Sequence, residues 1–211
     1  ALTMVFCLTI PATIGLVLMA EPIIQLIFEH GAFTASDTRA TALALGLYSI
    51  GLFAYAANKV MVPVFYAVNA ARYPVIGSFL AILVNVSFIM LTIDTYQYKA
   101  IALSMSVTMI INCLFLAVVL YWKVGGYSLS YLGGALGKIC LASAAMGAPL
   151  YLLVYHTSLL HRPDVLSQAV LTLAVIVVAA AIYGALLFML RLAELETLLA
   201  QLRGRLKKGS S

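Results

Sequence analysis

Apolar residues run along this chain in long blocks rather than in short alternating runs, and clusters holding most of its charges separate the blocks. A membrane-crossing helix needs about 20 residues at about 1.5 Å each to traverse about 30 Å of hydrocarbon. Six blocks approach or exceed that length: residues 2–20, 38–66, 75–93, 99–122, 132–155 and 165–190. They are too long for buried strands, and the strict alternation of an outer-membrane barrel is missing. The pattern predicts an all-α fold, a polytopic membrane helix bundle. Pro11 removes one backbone donor from the first block and predicts a bend near its middle. Proline at a first helical position starts helices, so Glu21-Pro22 predicts a separate short helix near 22–30, lying at the membrane interface and ending at Gly31. Ser36 or Asp37 is expected to cap the second span, and Asp94 with Lys99 bounds a tight connection between the third and fourth.

Composition narrows the class. Of 211 residues, 64% are hydrophobic and 9% charged, whereas about a quarter are charged in a typical soluble domain. With a mean hydropathy of +1.10, a soluble enzyme is excluded. The net charge of +5 does not point to nucleic acid, because the basic residues sit between apolar blocks and at the C-terminus, where they set orientation. With both ends of the chain cytoplasmic, the inner side receives Arg72, Lys123, Arg191, Arg203, Arg205, Lys207 and Lys208. The outer connections then hold Arg39, Lys99 and Arg162 beside Glu29, Asp37, Asp94 and Asp164, an arrangement that obeys the positive-inside bias. A chain that opens at Ala1 and closes on Gly209-Ser210-Ser211 reads as a piece of a longer protein. Residues 191–211 place leucines at helical spacing with Arg203, Arg205, Lys207 and Lys208 on the remaining surface, an amphipathic tail that anchors to anionic lipid.

Polar groups inside the apolar blocks are the candidates for chemistry. Lys59 lies well within the second span, either facing a cavity or snorkelling to the headgroups. Asn85 stands near the middle of the third span, at the depth of Met105 and Thr108 in the fourth, with Asn112 deeper. Interhelical bonding and contact with a cation or substrate are both open to these amides. Gly133 with Gly137, Ser143 with Gly147, and Ala180 with Gly184 are spaced four apart, a pattern that lets helices approach closely or flanks a groove for an apolar chain. Tyrosines near the span ends form interfacial belts. Cys7, Cys113 and Cys140 lie inside apolar blocks as buried thiols, and the three histidines have no zinc-site spacing. Neither a catalytic constellation, a metal site nor a cofactor motif is expected.

Residues 10–75 carry a more specific signal: Pro11 with Gly15-Leu16, Pro22-Ile23, FEHGAF from Phe28 to Phe33, Ala42-Leu43, Tyr48 with Gly51-Leu52, and Phe65-Tyr66-Ala67 followed by Arg72 and Pro74. In that order the stretch resembles the lipid II flippases of bacterial peptidoglycan synthesis, the MurJ/MviN branch of the superfamily that contains multidrug and polysaccharide exporters. The resemblance implies fourteen helices in two lobes, of which this chain is the last six: residues 1–122 as four helices of a MATE/MOP-like second lobe, and 123–190 as two additional helices. It also implies alternating access at the bacterial inner membrane, with lipid II, membrane lipids and peptidoglycan synthesis proteins as partners. The family's cavity arginines lie largely in earlier helices. Ala70 stands where the usual pattern has Asp after the FYA motif. Asn85 matches the first ligand of a sodium site attributed to some members, but Ile89 replaces its Asp. The expected site residues are Lys59 and Asn85 for the cavity or gate, and Ser143, Gly147, Ala180 and Gly184 for the groove that holds the lipid tail. A membrane scaffold or assembly subunit, and an exporter of another lipid-linked glycan or a drug, are the competing functions.

Overall fold

The computed structural model describes residues 2–126, 129–156 and 165–189. They form seven helices: α1 (Leu2–Phe28), α2 (Ala35–Ile50), α3 (Leu52–Ala67), α4 (Arg72–Tyr96), α5 (Tyr98–Lys123), α6 (Leu129–His156) and α7 (Val165–Met189). Since α2 and α3 are consecutive parts of one 33-residue apolar stretch, these make six candidate membrane crossings among the described residues. The all-α polytopic bundle expected from the apolar blocks is what the chain forms. α1 is its hub, packed against α2, α3, α6 and α7, while α5 packs against α2, α3 and α4.

Three local features differ from the sequence expectation. First, α1 runs unbroken through Pro11 and Pro22 to Phe28, so no separate short helix exists at 22–30. Ala20, Pro22 and Ile24 are buried, and Ala20 and Ile24 cluster with Ala42 of α2, which packs this turn against the neighbouring helix. Second, the N-cap of α2 is Thr34 rather than Ser36 or Asp37. Asp37 lies in the first turn, where its carboxylate accepts from the Thr34 N–H at 2.9 Å and the Thr34 hydroxyl at 2.7 Å, and a negative charge there also suits the helix dipole. The neighbouring Thr38 hydroxyl donates to Glu29 at 2.6 Å and ties the α1–α2 connection to the helix start.

Third, the second span is broken at Gly51. The Ser106 hydroxyl of α5 enters the break, donating to the Leu47 carbonyl and accepting from the Gly51 N–H at 3.0 Å. In an uninterrupted helix those two backbone groups would bond each other. A side chain inserted into this ladder is a recognised cause of helix bending.

A related repair secures α7. Pro11 has no N–H to offer the carbonyl four residues back, which belongs to Cys7. The phenol of Tyr183 reaches across from α7 and donates to that carbonyl at 2.6 Å. Tyr183 is buried in a cluster with Ile139, Ala142 and Met146 of α6, so one hydroxyl joins α7 to α1. Tyr183→Phe keeps the packing and removes the bond; it is expected to lower stability by about 1 kcal/mol, read as a lower unfolding midpoint in detergent. An unchanged midpoint would show that the bond contributes nothing.

Candidate functional site

α1 and α6 pack closely where α6 carries a glycine. A Cβ built on Gly147 would stand 2.9 Å from Ile14 Cγ2 and 3.7 Å from Leu18 Cδ1, so the bare backbone is what admits the α1 side chains. Beside this contact a groove of about 580 Å³ opens between the helices. Ile14, Val17 and Leu18 form one wall, Ala144, Gly147 and Ala148 the other, and no charged residue lines it. A second groove of about 240 Å³ lies between α6 and α7, walled by Leu150, Leu153, Leu171 and Val175 among others. Such surfaces suit a flexible hydrocarbon chain, which they hold by shape and dispersion rather than by hydrogen bonds.

The small residues singled out from spacing are not brought together as one lining. Gly147 borders the larger groove, whereas Ser143, one turn earlier, is fully buried. Ala180 and Gly184 are exposed on α7, and nothing lies within 4 Å of a Cβ placed on Gly184. Tyr183 and Leu187 are the buried α7 residues of the cluster with α6, while Ala180 and Gly184 stay exposed. Gly133 and Gly137 likewise have open space around them. Cys113 is buried as expected, but Cys140 is exposed, and none of the three cysteines forms a disulfide.

Lys59 is exposed on α3 with its ammonium 5.2 Å from the centre of the Tyr55 ring. Tyr55, Lys59, Pro63 and Tyr66 form an exposed stripe at roughly one-turn spacing, uncovered by the described residues. The adjoining Asn58, which sequence reasoning passed over, is buried with both amide atoms lacking a hydrogen-bond partner. Its signal was available, an amide next to the lysine in an apolar run.

Asn85 does join α4 to α5. Its Nδ2 donates to Ser104 Oγ at 3.2 Å and lies 3.6 Å from Met105 Sδ, at the depth expected from counting residues. Ser104 in turn donates to the Ile101 carbonyl at 2.8 Å. Thr108 is buried on the same helix, and Asn112 Oδ1 fills the space opposite Gly77, 2.6 Å from where a Cβ would be. The α4–α5 seam is thus polar along much of its length. Among the described residues no group of three or more His, Cys, Asp or Glu side chains could hold a metal. The tail cations Arg203, Arg205, Lys207 and Lys208 lie outside the described residues.

Comparison with known proteins gives one consistent answer. The family described as "Lipid II flippase MurJ" matches residues 1–163. A probable lipid II flippase MurJ of Rhizobium meliloti is 32% identical over 206 residues, covering 97% of this chain and 38% of that protein. Its counterpart in Haemophilus influenzae is 30% identical over 189 residues, covering 89% of this chain and 36% of that protein. A solved structure of lipid II flippase MurJ in an inward closed conformation superposes with a TM-score of 0.72 at 25% identity, covering 88% of this chain and 36% of that one.

Proposed function

Because the chain belongs to the lipid II flippase MurJ family, we propose that it is the C-terminal six-span portion of a transporter that carries undecaprenyl-pyrophosphate-linked peptidoglycan precursor across the bacterial inner membrane. The chain spans 38% of the length of its Rhizobium meliloti relative, so the activity is that of the whole protein. In this reading residues 1–122 complete the second lobe, 123–190 supply two additional helices, and both ends of the chain are cytoplasmic. No bond is made or broken. Transport consists of exposing a site between the lobes to one leaflet and then the other.

The observation that carries the reading onto this chain is the aliphatic groove between α1 and α6. A polyprenyl tail needs an uncharged track that stays in contact with lipid while the polar head crosses. Gly147 sets the depth of that track, Ser143 the close packing behind it, and Ala180 with Gly184 a low surface on the outer side of α7. Asn85 acts as a polar latch on the α4–α5 seam. The tail cations anchor the C-terminus to anionic headgroups. Membrane lipids are therefore partners beside lipid II, and peptidoglycan synthesis proteins are the natural source and destination of the cargo.

Lys59 is assigned as an auxiliary cation of the inter-lobe cavity, because its stripe on α3 is uncovered and no carboxylate among the described residues pairs with it. Lys59→Gln in the full-length protein is expected to slow lipid II translocation about tenfold, the factor for losing one charge-assisted contact of about 1.4 kcal/mol. Lys59→Arg should retain most of the rate. Wild-type translocation by the glutamine variant at normal expression would reject the assignment.

A further inference from the structure

We propose that Gly51 and Ser106 form a mid-membrane hinge with two hydrogen-bonded settings, one bent and one straight, and that α2 swings on it relative to α3. The proposal rests on the transport reading for its purpose and on local geometry for its existence. The break lies midway along the crossing, with 16 residues of α2 before it and 16 residues of α3 after it. Gly51 and Ser106 are both buried.

In the bent setting, to which we assign the broken helix, the Ser106 hydroxyl serves Leu47 and Gly51 as described, and the Gly51 N–H also reaches the Tyr48 carbonyl at 3.1 Å. Straightening requires one exchange. The Gly51 N–H takes the Leu47 carbonyl, and the released serine hydroxyl turns to the carbonyl four residues before it in its own helix, that of Ala102. Hydroxyls of this kind bond such carbonyls readily, and this chain does so repeatedly: Thr9 to Val5 at 2.8 Å, Ser49 to Leu45 at 2.7 Å, Ser78 to Pro74 at 3.0 Å and Thr92 to Phe88 at 2.6 Å. The Gly51 N–H, the Leu47 carbonyl and the Ser106 hydroxyl each keep a partner in both settings. In hydrocarbon, where stranding a backbone group is costly, that equality is what keeps two conformations close in free energy. Gly51 is the residue that permits the bent one, because its missing Cβ is where the Ser106 backbone sits.

Spin labels on the full-length protein in lipid nanodiscs test this. Leu43 of α2 and Leu114 of α5 are exposed and report the upper half, while Val64 of α3 paired with Leu114 reports the lower half. Ser106→Ala removes the hydroxyl that holds the bend. It is expected to shift the ratio of the two Leu43–Leu114 distances about threefold or more toward the straight form, leaving the Val64–Leu114 distance unchanged. An alanine variant with the wild-type distribution, or one that displaces both pairs alike, overturns the hinge. Adding lipid II is expected to move the Leu43–Leu114 ratio in the wild-type protein. A ratio that responds to Ser106→Ala and not to lipid II overturns the transport reading and leaves the hinge standing.

Discussion

Replacing Gly51 with alanine is expected to destabilise the protein by about 1–3 kcal/mol, the usual cost of forcing a methyl into a filled interior. The new Cβ would lie 2.7 Å from Ser106 Cα and 3.0 Å from Ser106 Oγ. A flexible side-chain tip could rotate away, but backbone cannot, so α5 would have to retreat from the junction of α2 and α3. Retreat also separates the hydroxyl from the Leu47 carbonyl and the Gly51 N–H that it serves. Gly46 supplies the control. It lies five residues earlier on α2 with nothing within 4 Å of its added Cβ. There alanine is expected to be neutral or to stabilise by up to about 1 kcal/mol, since glycine is the weaker helix former. Unfolding midpoints of the two variants in detergent would decide the matter. Equal effects at Gly46 and Gly51 would mean that the close approach of α5 does not constrain the helix.

Gly147→Leu is expected to abolish most lipid II translocation, a loss of about tenfold or more, while the protein still inserts and folds. Alanine here meets the Cγ2 methyl of Ile14 at 2.9 Å, with Leu18 at ordinary contact distance. Leucine extends past that point into the groove, competing with a lipid chain for the same space and prising α6 from α1. An overpacked contact costs about 1–3 kcal/mol, and 1.4 kcal/mol is a tenfold change. Gly137 on the same helix has open space around it, so Gly137→Leu is expected to transport normally. A matching loss at both positions would assign the defect to helix α6 as a whole rather than to the groove.

The parts of this fold that could be read from the sequence are those governed by length and composition. Every crossing was visible as a block long enough for the hydrocarbon, and the depth count from the tight turn at Gln97 brought Asn85 to Met105. What could not be read depends on partners distant in sequence. Pro22 has the local signature of a helix start, yet burial of Ala20 and Ile24 against Ala42 keeps α1 intact. Gly51 has an ordinary right-handed backbone, with φ −82° and ψ −7°; only Ser106, 55 residues later, makes it a break. Pro11 announced a carbonyl without its usual donor but not that Tyr183 would answer it. The spacing of Ala180 and Gly184 is equally good for packing or for exposure. Both are exposed, while Tyr183 and Leu187 carry the contact with α6.

The most direct test is lipid II translocation by the purified full-length protein in proteoliposomes, using a headgroup-labelled substrate and a reagent confined to one side. Wild type and Gly137→Leu should both move the label to the protected leaflet at similar rates, and Gly147→Leu should do so about tenfold or more slowly. A folded wild-type protein that leaves lipid II in its starting leaflet, or Gly147→Leu working at the wild-type rate, would contradict a transporter whose lipid tail runs between α1 and α6.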